Sequence, residues 1–241
     1  MTVVTEVAYA CVGVFTAGIG GILLLGVRRR DTPTAVNAGF SIVAVVVPLA
    51  LEFGLGSASG PGVGVGPALP LWIAVAGFLH SLGMVGLYER LWWWDHLTHT
   101  ISGMFVAALL YAAFIVVAPR WSVLDFSPAT IKILLVISTF WIGVFWELVE
   151  LLAREIGEMF DIKPLLVHYG WRDTAYDLGF DIVGAVIVVL ADIRVFVPIT
   201  GQSTAITELF LVATAVITVG GSLLIAVGFT LLETSGNQSR S

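Results

Sequence analysis

The chain is short of charge and of cysteine. Of its 241 residues only 12% are charged, whereas 58% are hydrophobic, and the mean hydropathy is +1.00. A soluble domain carries about a quarter of its residues as charged side chains. Half that share leaves too few polar groups to cover a globule's surface, which excludes a water-soluble fold and, with so much apolar content, disorder. Bases are outnumbered, 11 against 17 acids, giving a net charge of −6. That sign excludes a nucleic-acid-binding surface. The one cysteine, Cys11, lies in an apolar run, so no disulfide framework exists.

What the sequence does have is long apolar runs. Seven can be read, at residues 6–27, 34–55, 67–88, 95–118, 129–152, 174–197 and 207–232. Crossing a hydrocarbon core of about 30 Å takes about 20 residues, so seven crossings use about 140, in keeping with the apolar content. Backbone groups in lipid must bond within their own segment, which makes each run an α-helix, and no short alternating strands of a β-barrel are present. The expectation is an all-α polytopic bundle of about seven helices, a single integral membrane domain (1–241) in the plasma membrane, with its polar site within 88–190. The first run is followed, not preceded, by Arg28, Arg29 and Arg30, which reads as a retained helix and not a signal peptide.

Basic residues set the expected orientation. With the N-terminus outside, Arg28, Arg29, Arg30, Arg90, Arg154, Lys163, Arg172 and Arg240 fall inside and Arg120, Lys132 and Arg194 outside, which favours N-out, C-in. The Gly-rich stretch from Gly54 to Pro67 lacks the Lys-Ser/Thr ending of a phosphate loop and reads as an outer loop. Arg154 to Arg172 mixes acids with apolar residues, as an interfacial amphipathic stretch broken at Pro164 does. Gly13, Ala17 and Gly21, four apart, suit a close helix contact. No internal repeat is evident.

Ionisable side chains inside membrane helices cost about 2.5–3.5 kcal/mol each near the centre, so their positions carry information. They fall in three clusters: Asp95, His96 and His99; Glu147 and Glu150; and Asp173, Asp177 and Asp181. Residues four apart lie about 40° apart around a helix, and those three apart are also neighbours, so each cluster shares one face. With the N-terminus outside, the fourth helix begins, the fifth ends and the sixth begins at the inner face, which brings all three clusters to one level. Two carboxylates about 6 Å apart at an effective dielectric of about 20 repel by roughly 2.8 kcal/mol, so some must be protonated, paired or metal-bound. Arg90, Arg154 and Arg172 are near in sequence, and Arg154 follows Glu150 at helix-pair spacing. Histidine with carboxylates suits Zn, Mn or Fe, and an all-oxygen set suits Mg or Ca. The candidate metal ligands are Asp95, His96, His99, Glu147, Asp177 and Asp181; the candidate catalytic residues are Asp95, His99, Glu147, Glu150, Asp173 and Asp177. The six carboxylates also account for the whole acidic excess, because the remaining acids match the 11 bases.

Each cluster has a plainer reading. Asp95 suits a helix cap, which leaves His99 one turn deeper unexplained, and Trp92, Trp93 and Trp94 suit interface anchors. Glu147 and Glu150, flanked by Trp141 and Trp146, suit snorkelling near a helix end. Asp173 suits a cap, but aspartate is too short to snorkel from positions 177 and 181. Elsewhere, His80 reads as an interhelical hydrogen-bonding residue before a ligand, Glu52 as a packed or snorkelling acid, and His168 joins the site only if its loop folds back. The serines form no Ser–His–acid order.

The pattern Asp95-x-x-x-His99-x-x-x-Gly103, Glu147-x-x-Glu150 and Asp173-x-x-x-Asp177 with Gly184 and Ala185 resembles the YjdF-like family of prokaryotic multi-pass membrane proteins. More distantly, it is similar to VanZ-like proteins. The likeness covers residues 88–190. It implies a multi-pass membrane protein but no established activity, and His96 and Asp181 are additions to the family pattern. Three functions stay open: a metal-dependent hydrolase or transferase acting on a lipid-linked substrate, with membrane lipids as its surroundings and a divalent metal ion as its cofactor; a proton- or cation-coupled transporter; and a structural polar network without catalysis.

Overall fold

The computed structural model describes residues 2–55, 64–121, 126–160 and 170–238. Among them the chain is helical, with no strand, and seven helices are long and apolar enough to cross a membrane. They are α1 (Val3–Arg29), α2 (Thr32–Ala50), α3 (Ala68–Leu82), α4 (Trp94–Val117), α5 (Pro128–Met159), α6 (Trp171–Ala191) and α7 (Thr204–Gln238). His168, Lys163 and Pro164 lie outside the described residues, as does most of the Gly-rich stretch from Gly54 to Pro67.

Local chemistry explains most of the ends. Thr2 caps α1 by accepting from the Thr5 amide, and Ser127 caps α5 by accepting from Thr130, with Pro128 pre-set at the first helical position. The α5 helix runs past the expected end at 152 to Met159, because Arg154 pairs with Glu158 one turn on (3.3 Å) and the charged segment continues the helix. The α6 helix stops at Ala191 instead of 197. Asp192 turns left-handed there (φ 50°) and its amide bonds back to Val188, a stop that apolarity alone does not signal.

Two helices carry π-helical turns. Leu51–Leu55 extends α2 beyond Pro48, and Gly83–Leu87 extends α3, with Gly86 at φ 115°. The second turn folds Tyr88 back against Gly83, where a side chain would collide with the Tyr88 ring. Glu52, in the first, accepts from the amides of Val65 (2.7 Å) and Gly66 (3.3 Å), as a packed acid does.

The helices form two groups. α1, α2 and α3 pack on one another; α4 and α6 make the most extensive contact, with α5 and α7 against them. The larger core centres on Leu110, Tyr111, Val117, Leu135, Val188 and Phe196. Large apolar side chains such as Phe40, Leu24, Leu190 and Leu224 point outward, as lipid-facing surface requires.

Glycines decide the α4–α6 crossing. A Cβ on Gly103 would sit 2.8 Å from the Asp181 backbone, and one on Gly184 would sit 2.5 Å from the Thr100 carbonyl. Backbone therefore lies on backbone, the geometry that small residues permit in membrane helices. The Gly13, Ala17 and Gly21 face does not behave this way: it is exposed, and a Cβ on either glycine would meet nothing. On α1 the close approaches are instead at Gly18, against Phe78, and Gly26, against the Ala35 backbone.

Candidate metal and acid site

The tight α4–α6 crossing sets the site. His99 is buried on α4, and its ring is surrounded by carboxylates. Its Nδ1 lies 3.3 Å from Asp181 Oδ1, and its Nε2 lies 3.8 Å from Asp177 Oδ1 and 3.9 Å from Asp95 Oδ1. Asp177 and Asp181 are themselves buried on α6. A Cβ on Gly143 of α5 would sit 2.5 Å from Asp181 Oδ2, so the missing side chain makes the notch in which that carboxylate rests.

One ligand atom each from Asp95, His99 and Asp177 lie within 4.8 Å of one another, a triangle small enough to hold a single ion. Asp177 Oδ1 is buried and has no hydrogen-bond partner, which is costly for a carboxylate oxygen unless something else meets it. His96 Nδ1, 3.9 Å from that oxygen, is likewise buried and unbonded. His96 stands beside the triangle, stacked on Phe180 at 4.4 Å and flanked by Tyr176 and Trp92.

Glu147 is buried on α5 and acts electrostatically on Asp177, and Glu150 lies within electrostatic range of Glu147, His99 and Asp95. Trp146 Nε1 donates to Glu150 Oε1 at 2.7 Å. Both acids stand inside α5, which runs on to Met159, nine residues beyond Glu150. Asp173 is half-exposed on the first turn of α6, within electrostatic range of Asp95 and Asp177 but with no hydrogen bond or ion pair among the described residues.

Several plainer readings change. Asp95 is not the α4 cap, since the helix opens at Trp94 with no side-chain cap bond, and Thr98 Oγ1 reaches the Asp95 carbonyl at 2.8 Å. Trp92 and Trp93 are exposed, but Trp94 is buried and its Nε1 donates to the Leu79 carbonyl at 3.2 Å, pinning α4 to α3. Arg154 turns to Glu155 (3.5 Å) and Glu158 instead of Glu150, and Arg172 lies over the Trp171 ring at 5.5 Å. Among the described residues no arginine pairs with Asp95, Asp177 or Asp181.

His80 behaves as an interhelical residue. Its Nδ1 bonds Tyr88 Oη at 2.7 Å and its Nε2 bonds Ser102 Oγ of α4 at 3.1 Å. Tyr88, which no motif marks, and Trp146, which the sequence suggests only as an interface residue, line the cavity beside Asp95, His99 and Glu150. The signal for Tyr88 is faint, because only the π-helical turn brings it back to His80 eight residues earlier.

At the opposite end of α4, Tyr111 donates to Asp192 at 2.6 Å and Arg194 Nε donates to the same oxygen at 3.0 Å. These bonds, the hydroxyl's first, hold the Asp192 carboxyl below its ordinary range.

Comparison with curated proteins and with solved structures gave no match. A family model described as "predicted membrane protein (DUF2238)" matches residues 10–197, from α1 through α6 and past every residue of the cluster. The chain therefore belongs to this family of membrane proteins, DUF2238.

Proposed function

We propose that the chain is a metal-dependent membrane hydrolase or transferase acting on a lipid-linked substrate at the inner leaflet of the plasma membrane. The observation that carries this reading is the triangle of Asp95, His99 and Asp177, with ligand atoms within 4.8 Å and a buried Asp177 oxygen lacking a hydrogen-bond partner. One imidazole with two carboxylates suits a divalent Zn, Mn or Fe ion. When bound, such an ion polarises a phosphoryl or acyl oxygen and makes bound water more acidic. Asp181 orients His99 through Nδ1, and Glu150, on the wall of the same cavity, is the carboxyl group placed to exchange a proton on the substrate's side, as base when ionised and as acid when protonated.

The N-out orientation inferred from the basic residues puts this site at headgroup depth on the inner side. The likeness to the YjdF-like and VanZ-like pattern also supports a shared site on the three helices. The cavity walls beyond the site favour an enzyme over a transporter: past Ser102 they pass to Val106 and Ile142, leaving Thr139 as the polar group. A relay across the membrane needs polar groups further along.

Elemental analysis of the purified protein tests the proposal. Zn, Mn or Fe is expected near one per chain, lost in His99→Ala and Asp177→Asn. Metal-free protein whose thermal midpoint is indifferent to chelation and to added metal would sink it.

A further inference from the structure

A groove of about 230 Å³ separates the α1–α3 group from α4 and α5. One end is polar, faced by Asp95, His99 and Glu150. The other is walled by Phe40, Ala44, Ile73, Ala76 and Phe105. From Asp95 to Phe105 the α4 helix rises about 15 Å, so the groove runs from headgroup depth into the hydrocarbon region. Its rims, Phe40 and Trp146, are 75% and 41% exposed, and α2 and α5 do not pack closely across the opening. In a bilayer those rims face acyl chains, so the groove opens sideways to lipid.

We infer that this groove seats the hydrocarbon chain of a membrane lipid whose oxyanionic headgroup meets Asp95, His99 and Asp177, and that the lipid slides in from the bilayer between α2 and α5. The inference rests on the metal-site reading above, because an acidic cluster repels an oxyanion unless a cation lies between them. Moving a chain from bilayer to an apolar groove gains little free energy, since lipid tails are as apolar as the wall. The groove therefore works by registration: it holds the headgroup at the depth of His99 and leaves discrimination to the polar end.

Photolabelling tests this. The probe is a phosphatidic acid with a diazirine near the end of one acyl chain, in phosphatidylcholine vesicles containing the full-length protein, with adducts mapped by mass spectrometry. Adducts are expected to concentrate on Ala44, Ile73 and Ala76, and Ala76→Trp, which fills the groove, to lower them about tenfold. Equal labelling by a phosphatidylcholine probe with the same diazirine, or adducts spread over the outward faces of all helices, would mean an annular lipid only and overturn the inference. If Ala76→Trp does not fold, the wild-type adduct map decides by itself. Elemental analysis of the same sample separates the two readings. Groove adducts specific for phosphatidic acid in metal-free protein keep the seat for the chain but overturn both the metal site and the headgroup contact with Asp95, His99 and Asp177; bound metal without groove adducts keeps the metal site and overturns the groove.

Discussion

His99 on α4 and Asp181 on α6, 82 residues apart in sequence, face each other with Nδ1 and Oδ1 3.3 Å apart. A carboxylate oxygen accepts, so Nδ1 is the donor, and the ring's other nitrogen, Nε2, faces Asp95 and Asp177. Carboxylate–histidine pairs of this kind orient metal-ligating imidazoles. Asp181→Asn should therefore weaken metal binding about 10–100-fold without abolishing it, whereas His99→Ala abolishes it. Calorimetric titration of metal-stripped protein with Mn or Zn measures both. An unchanged affinity in Asp181→Asn would remove Asp181 from that role.

The glycine crossing predicts a second contrast. Gly184→Ala puts a methyl group against the Thr100 carbonyl and should cost about 1–3 kcal/mol, read as a lowered thermal midpoint. Gly13→Ala meets nothing within 4 Å and should stay within about 0.5 kcal/mol of wild type. Gly143→Ala displaces Asp181 and should lower metal affinity more than stability.

The far end of α4 gives a pH test. Asp192 is exposed and its carboxyl is held below the ordinary range by Tyr111 and Arg194. A depressed acid contributes stability above its unfolded pKa, about 3.9, and loses it as pH falls through the lower folded value. Asp192→Asn should thus lower the thermal midpoint slightly at pH 7 and match wild type in strong acid, the effect being small because water screens the pair. A difference of the same size at both pH values would assign the effect to the left-handed cap, not to the charge.

Orientation can be tested with the single native thiol removed. In a Cys11→Ser background, Trp92→Cys, at an exposed position beside the site, should react with a membrane-impermeant maleimide in inverted vesicles and not in intact cells. Labelling in intact cells would reverse the N-out, C-in assignment.

The seven helices were legible because lipid forces each apolar run to satisfy its backbone internally, and the cluster because ionisable groups in such runs are rare. The packing partners were not. Gly103 and Gly184 stand out in the sequence through the family pattern and Gly143 not at all, yet these three sit at contacts while Gly13 and Gly21, spaced for a contact, face outward, which depends on how the helices are rotated. Trp94 looks like Trp92 in sequence, and the burial of its indole follows from where α3 ends. His80 was read as an interhelical residue from its depth, but Tyr88 as its partner depends on a π-helical turn that no apolar spacing announces.

The α4–α6 pair also bears on how the chain is made. Asp181 stands in the middle of α6 and Asp177 only one turn nearer its start, and the most apolar stretch of α6 is less apolar than that of α4. A lone α6 entering lipid would carry those acids without partners, at a cost that grows with depth toward about 2.5–3.5 kcal/mol each at the centre. The histidines that receive them are on α4, which leaves the ribosome first. The crossing thus joins a later helix to an earlier one: the acids of α6 find their histidine partners on a helix already synthesised when α6 is made.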